Sequence, residues 1–61
     1  MPFIDVKVAG PLTKDQKEKI SLQFTATLQE VAGKLPESTY IVFTEVDREN
    51  WAKGGKLLSE S

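Results

Sequence analysis

A chain of 61 residues with no cysteine and no histidine has few ways to become stable. At this length folding buries only about 60% of the surface that the unfolded chain exposes. Small cores of this kind need a disulfide, a metal or a partner. Without cysteine there is no disulfide, and without cysteine or histidine a zinc site lacks its usual ligands. Self-association is the remaining route, so the sequence predicts a homo-oligomer. Missing histidine also removes the usual proton carrier near neutral pH. Any proton-transfer chemistry must therefore fall to a perturbed carboxylate, a lysine or the chain's own amino group.

The local pattern is strand, helix, strand. In "FIDVKVA", residues 3–9, Ile4, Val6 and Val8 point one way while Phe3, Asp5, Lys7 and Ala9 point the other. Period two with β-branched residues reads as a half-buried strand. "GPL" breaks it. "TKDQ" then starts a helix, with Thr13 as N-cap, Gln16 completing a capping box and Asp15 favouring the helix dipole. Ile20, Phe24, Thr27, Leu28 and Val31 share one helical face, which can lie on a sheet. Leu22 and Ala26 fall on the opposite face, as exposed residues or as part of a subunit contact. Gly33 closes the helix, with Pro36 behind it. "STYIVFTEV" predicts a second strand over residues 39–46, and the unbroken apolar run Tyr40–Phe43 suggests burial on both faces. "DREN" reads as a polar turn, "WAKGGKLL" as a short hairpin or irregular tail, and "SES" as a fraying end.

The expected fold class is therefore α/β (α+β): one domain over residues 1–61, a single βαβ unit with two parallel strands and one helix, and a short C-terminal hairpin or tail. A lone helix covers one sheet face and leaves the other face and both edges open. That again predicts an assembly of copies. Net charge is −1 with interspersed signs and no basic stripe, so no nucleic-acid partner is expected. The start lacks a signal-peptide pattern, and no apolar run approaches the roughly 20 residues of a membrane span. A cytoplasmic protein with no membrane partner is the default expectation.

Pro2, directly after Met1, has two readings. Proline is tolerated at the first position of a strand because its missing N–H need not join a ladder. Alternatively, removal of Met1 exposes a secondary amine that can act as base or nucleophile.

"MP" at the start, "DQKEKI" in the helix, "VFTEV" in the second strand and "ENW…GG" near the end together resemble the 4-oxalocrotonate tautomerase family, short βαβ subunits of the tautomerase superfamily. The likeness runs without a gap from Pro2 to about Gly55. It implies a homohexamer built as a trimer of dimers, a small-molecule substrate, no metal and no cofactor. It also implies that Pro2, freed by loss of Met1, is the general base that moves a proton between enol and keto forms of a small 2-oxo acid or related carbonyl compound. Trp51 stands where the family carries an aromatic residue and is expected as an apolar wall of the substrate pocket. The best-known members grip a dicarboxylate with two arginines, and Leu12 and Tyr40 occupy those positions here. Leucine lacks the guanidinium fork and tyrosine offers a single hydroxyl, which argues against 4-oxalocrotonate as substrate. Leu12 is then a pocket-lining residue, and Tyr40 a candidate donor to a substrate carbonyl or enolate oxygen. Arg48, Lys7, Lys53 and Lys56 are candidate replacement cations. Two other readings stay open at this point: a related proline-dependent decarboxylase or dehalogenase, and a non-catalytic oligomeric βαβ module.

A strand of six or seven residues is about 20 Å long. Pro2 and Leu12 flank the first strand, so they cannot line one pocket within one chain. Tyr40 opens a parallel strand and falls at the Pro2 end.

Overall fold

The computed structural model describes residues 1–60. Strand β1 (Phe3–Ala9) leads through a short connection into helix α1 (Lys14–Ala32). A one-turn 3-10 helix at Pro36–Ser38 precedes strand β2 (Tyr40–Val46). A second 3-10 turn, Arg48–Asn50, leads into a hairpin of β3 (Ala52–Lys53) and β4 (Lys56–Leu57). The fold is the βαβ unit expected, and the ambiguous C-terminal stretch is a hairpin. Strands β1 and β2 are parallel, in register from Phe3↔Tyr40 to Ala9↔Val46.

Local chemistry sets the helix ends. Thr13 Oγ1 accepts from the Gln16 amide (3.1 Å), and the Thr13 amide donates to Gln16 Oε1 (2.9 Å), a closed capping box. Gly33 ends the helix at φ 66°, and its amide reaches the Gln29 carbonyl at 3.0 Å. Helix α1 covers the sheet face that carries Ile4, Val6, Val8, Ile41 and Phe43, all half-buried. At the far end of that face Lys17 of the helix pairs with Glu45 of β2.

The other sheet face lies open. Phe3 (60% exposed), Tyr40 (54%) and Val42 (45%) stand on it. Beside them Asp5 accepts from Lys7 and from the Thr44 hydroxyl (3.0 Å). Among the described residues, none is fully buried. The radius of gyration, 14.5 Å, exceeds the roughly 10.5 Å of a compact chain this long. One copy is thus an open plate, 42 × 24 × 15 Å, without a closed core.

Three expectations need correction. Tyr40 and Val42 are exposed while Ile41 and Phe43 are not, so within one copy β2 is covered on one face only. Its unbroken apolar run reflects an inner face packed by the helix and an outer face left for another surface. On α1, Ile20 and Leu28 are half-buried, but Phe24 is 42% exposed, Thr27 is exposed and Val31 is 82% exposed. A 19-residue helix is about 29 Å long against a sheet of about 20 Å, so its last turns overhang. Finally, Leu58–Glu60 forms a 3-10 turn rather than a frayed end. The last residue of "SES" lies outside the described residues.

Candidate active site

Pro2 is held at the mouth of the sheet. Its carbonyl accepts from the Tyr40 amide at 2.9 Å, one step before the Phe3↔Tyr40 pair. The ring is half-buried and Met1 stands 88% exposed beyond it. Tyr40 shares the open face with Phe3, so two aromatic side chains flank the start of β1. The overhanging end of α1 and the loop after it return to this same end of the sheet, bringing the exposed apolar residues Val31 and Leu35 there. The Pro2 end is therefore rich in uncovered apolar surface.

Leu12, half-buried, lies at the other end, two residues past the Gly10 amide that donates to Val46 O at 2.9 Å. As the strand length required, one chain separates Leu12 from Pro2. Trp51 is separated as well. It follows the same far end of β2, five residues beyond Val46. Three of those residues form a 3-10 turn, at about 2 Å per residue, and the other two add about 3.3 Å each. The total, roughly 13 Å, falls short of the 20 Å sheet that would have to be retraced. Within one copy the structure brings Tyr40 to Pro2 and keeps Leu12 and Trp51 away.

The candidate cations divide into two kinds. Lys7 is tied to Asp5 on the open face, and this bond, followed by the one from Thr44, holds the Asp5 carboxyl below its ordinary range. Arg48 donates from Nη2 to the Leu58 carbonyl (3.4 Å), while the Leu58 amide donates to Trp51 O (2.8 Å). Arg48 thereby ties the segment around Trp51 together. Lys53 and Lys56 face each other across the hairpin and have no ionic partner among the described residues. The "KGGK" string that aligns them is visible in the sequence. No cluster of three or more metal-ligating side chains occurs among the described residues. No helix among them is long and apolar enough to cross a membrane.

The family model described as "Tautomerase enzyme" matches residues 2–61, beginning at Pro2. This chain belongs to the 4-oxalocrotonate tautomerase family of the tautomerase superfamily. It is 31% identical to probable tautomerase K2 of Dickeya dadantii, across 98% of this chain and 91% of that one. The crystal structure of DmpI from Helicobacter pylori superposes with a TM-score of 0.90 at 26% identity, covering 97% of this chain and 92% of the other. A heterohexameric 4-oxalocrotonate tautomerase from Chloroflexus aurantiacus shares the fold, with a TM-score of 0.88 at 17% identity over 98% and 97% of the two chains. Tautomerase-type isomerase chemistry is thus the general activity of this family member.

Proposed function

We propose that this tautomerase interconverts the enol and keto forms of a small 2-oxo acid or related carbonyl compound, with the Pro2 nitrogen as its general base once Met1 is removed. The observation that carries the reading is the position of Pro2: at the end of β1, pinned to Tyr40, behind an exposed methionine and at the start of the family match. While Met1 is attached, the Pro2 nitrogen is an amide whose lone pair is delocalised into the carbonyl. Released, it becomes a secondary amine. An α-amino group titrates near 8 in model peptides, and apolar surroundings disfavour its protonated form. That tunes the base towards ambient pH, where availability and strength are best balanced.

In the reaction the free amine takes a proton from the carbon next to the substrate carbonyl. The electrons of the broken C–H bond move into the enolate, and the resulting ammonium returns the proton at another position. The step balances in protons and electrons, so it needs no oxidant or reductant. The Tyr40 hydroxyl is a candidate donor to the developing enolate oxygen. Trp51, delivered by another copy, closes the apolar wall. The expected assembly is a homohexamer; the Chloroflexus relative is a heterohexamer.

Mass spectrometry of the chain purified from its own cell, paired with ultraviolet assays of enol-to-keto conversion, tests this directly. The expected result is a chain lacking one methionine whose conversion is lost in Pro2→Ala. The non-catalytic alternative is motivated by Leu12 and Tyr40 at the arginine positions. It predicts a retained methionine and no conversion of simple enols.

A further inference from the structure

The hairpin tip places two like charges where they repel. Lys53 and Lys56 are directly opposite across β3 and β4, with Gly54 (φ 61°) and Gly55 (φ 84°) between them. Positive φ at both turn positions is the tight two-residue hairpin geometry, and glycine adopts it without strain. It leaves no freedom to shift the register. Directly opposed residues on antiparallel strands project to one face with Cβ atoms about 5 Å apart, and like charges there are destabilising. Of the other five lysines, Lys7, Lys14 and Lys17 sit beside Asp5, Glu18 and Glu45, while Lys19 and Lys34 stand singly with no ionic partner among the described residues.

The neighbouring rung gives this pair its context. Trp51 has extended backbone (φ −135°, ψ 128°), and its carbonyl accepts from the Leu58 amide at 2.8 Å. Strand pairing therefore continues one step past β3, setting Trp51 opposite Leu58. Alternate residues of a strand share a face. Trp51 and Lys53 stand together on one strand, and Leu58 and Lys56 on the other. The hairpin thus presents an apolar rung beside a doubly cationic rung, on the same face and about 7 Å apart along the strand.

We propose that Lys53 and Lys56 form the carboxylate-binding clip of the active site, carried with Trp51 to the Pro2 of another copy. The substrate is accordingly a monocarboxylate whose acid end sits between the two ammonium groups. Its reacting carbons lie against Trp51 and face Pro2. Ammonium groups act as movable point charges, so the clip neutralises a carboxylate without the planar fork of an arginine. The hairpin thus brings one cationic rung, and hence one carboxylate position, to the aromatic Pro2 end. This proposal rests on the tautomerase reading above and names its substrate class.

The test uses trimethylpyruvate, a 2-oxo acid with no C–H to enolise, beside its uncharged methyl ester. Emission from Trp51, the single tryptophan of the chain, reports binding without turnover. The acid is expected to bind the native assembly, more weakly as salt rises. The double variant Lys53→Gln, Lys56→Gln should raise its Kd about tenfold or more, as loss of a charge-assisted contact does. The ester should bind both proteins alike, and Lys53→Arg with Lys56→Arg should keep acid binding. Any of four results overturns the clip: no acid binding by the native protein, undiminished acid binding by the glutamine variant, equal loss for acid and ester, or a glutamine variant that fails to assemble. The last would make the lysines a subunit contact. Because this binding needs no proton transfer, its failure is distinguishable from failure of Pro2 as base, which Pro2→Ala turnover reads alone.

Discussion

The two faces of the β1–β2 sheet are made by the same strands and finished differently. On one, Ile4, Val6, Val8, Ile41 and Phe43 lie under α1, and Lys17 and Glu45 close the end. On the other, Phe3, Tyr40 and Val42 stay about half exposed beside the Asp5–Lys7–Thr44 cluster. The pleat supplies apolar residues to both sides, but the sequence supplies a helix for only one. Apolar surface left in water is a driving force of about 25 cal/mol per Å², available to whatever covers it. A second copy presents the same unfilled surface. The covered face thus stabilises each chain, and the open face is the surface we propose to join subunits.

That division can be broken on either side. The largest effect is expected from Val42→Asp on the open face. It places a carboxylate in register with Asp5, where like charges oppose each other. Sedimentation should show loss of the assembly at micromolar protein, with loss of activity. An intact assembly would place the subunit contact elsewhere.

Phe43→Ala on the covered face should act differently. Deleting a fully buried phenylalanine costs about 3–5 kcal/mol, and a half-buried one about half of that. Urea unfolding should therefore lose about 2 kcal/mol per subunit while the size of the assembly holds.

Thr13→Ala touches neither face and removes the capping box. About 1 kcal/mol should be lost in the same urea experiment, with catalysis unchanged.

The mildest effect concerns Asp5. Hydrogen bonds from Lys7 and then Thr44 lower its folded-state pKa below the unfolded value near 4. Its stabilising contribution is present above pH about 4 and is lost as pH falls through the lowered folded value. Asp5→Asn should flatten that part of the stability–pH curve. Unfolding midpoints compared between pH 3 and 6 would show it.

Much of the fold was readable because it is locally determined. The alternation of Phe3–Ala9, the Thr13–Gln16 box and the Gly33 cap each need only a few neighbouring residues. Parallel strands also follow from strand–helix–strand order, which places the start of β2, and so Tyr40, at the Pro2 end. Features that depend on comparing separate elements were hidden. Val31 is exposed because the helix outruns the sheet, a comparison of two lengths. Apolar residues in succession marked β2 as covered twice, although one chain provides cover once. The separation of Trp51 from Pro2 depends on the compact turn at Arg48–Asn50. The Lys53–Lys56 opposition depends on the hairpin register. Neither is carried by residue type alone.

On the proposed assignment of Pro2 and Trp51 to one site, no subunit completes its own, because the two lie beyond opposite ends of the sheet. Subunit mixing tests it most directly. Pro2→Ala and Trp51→Ala proteins, each impaired alone, are dissociated together, reassembled and assayed for enol-to-keto conversion. Shared sites predict activity above the sum of the two parents, since some sites then join an intact proline to an intact tryptophan. Activity no greater than that sum, in assemblies shown to be mixed, would contradict a site built between copies.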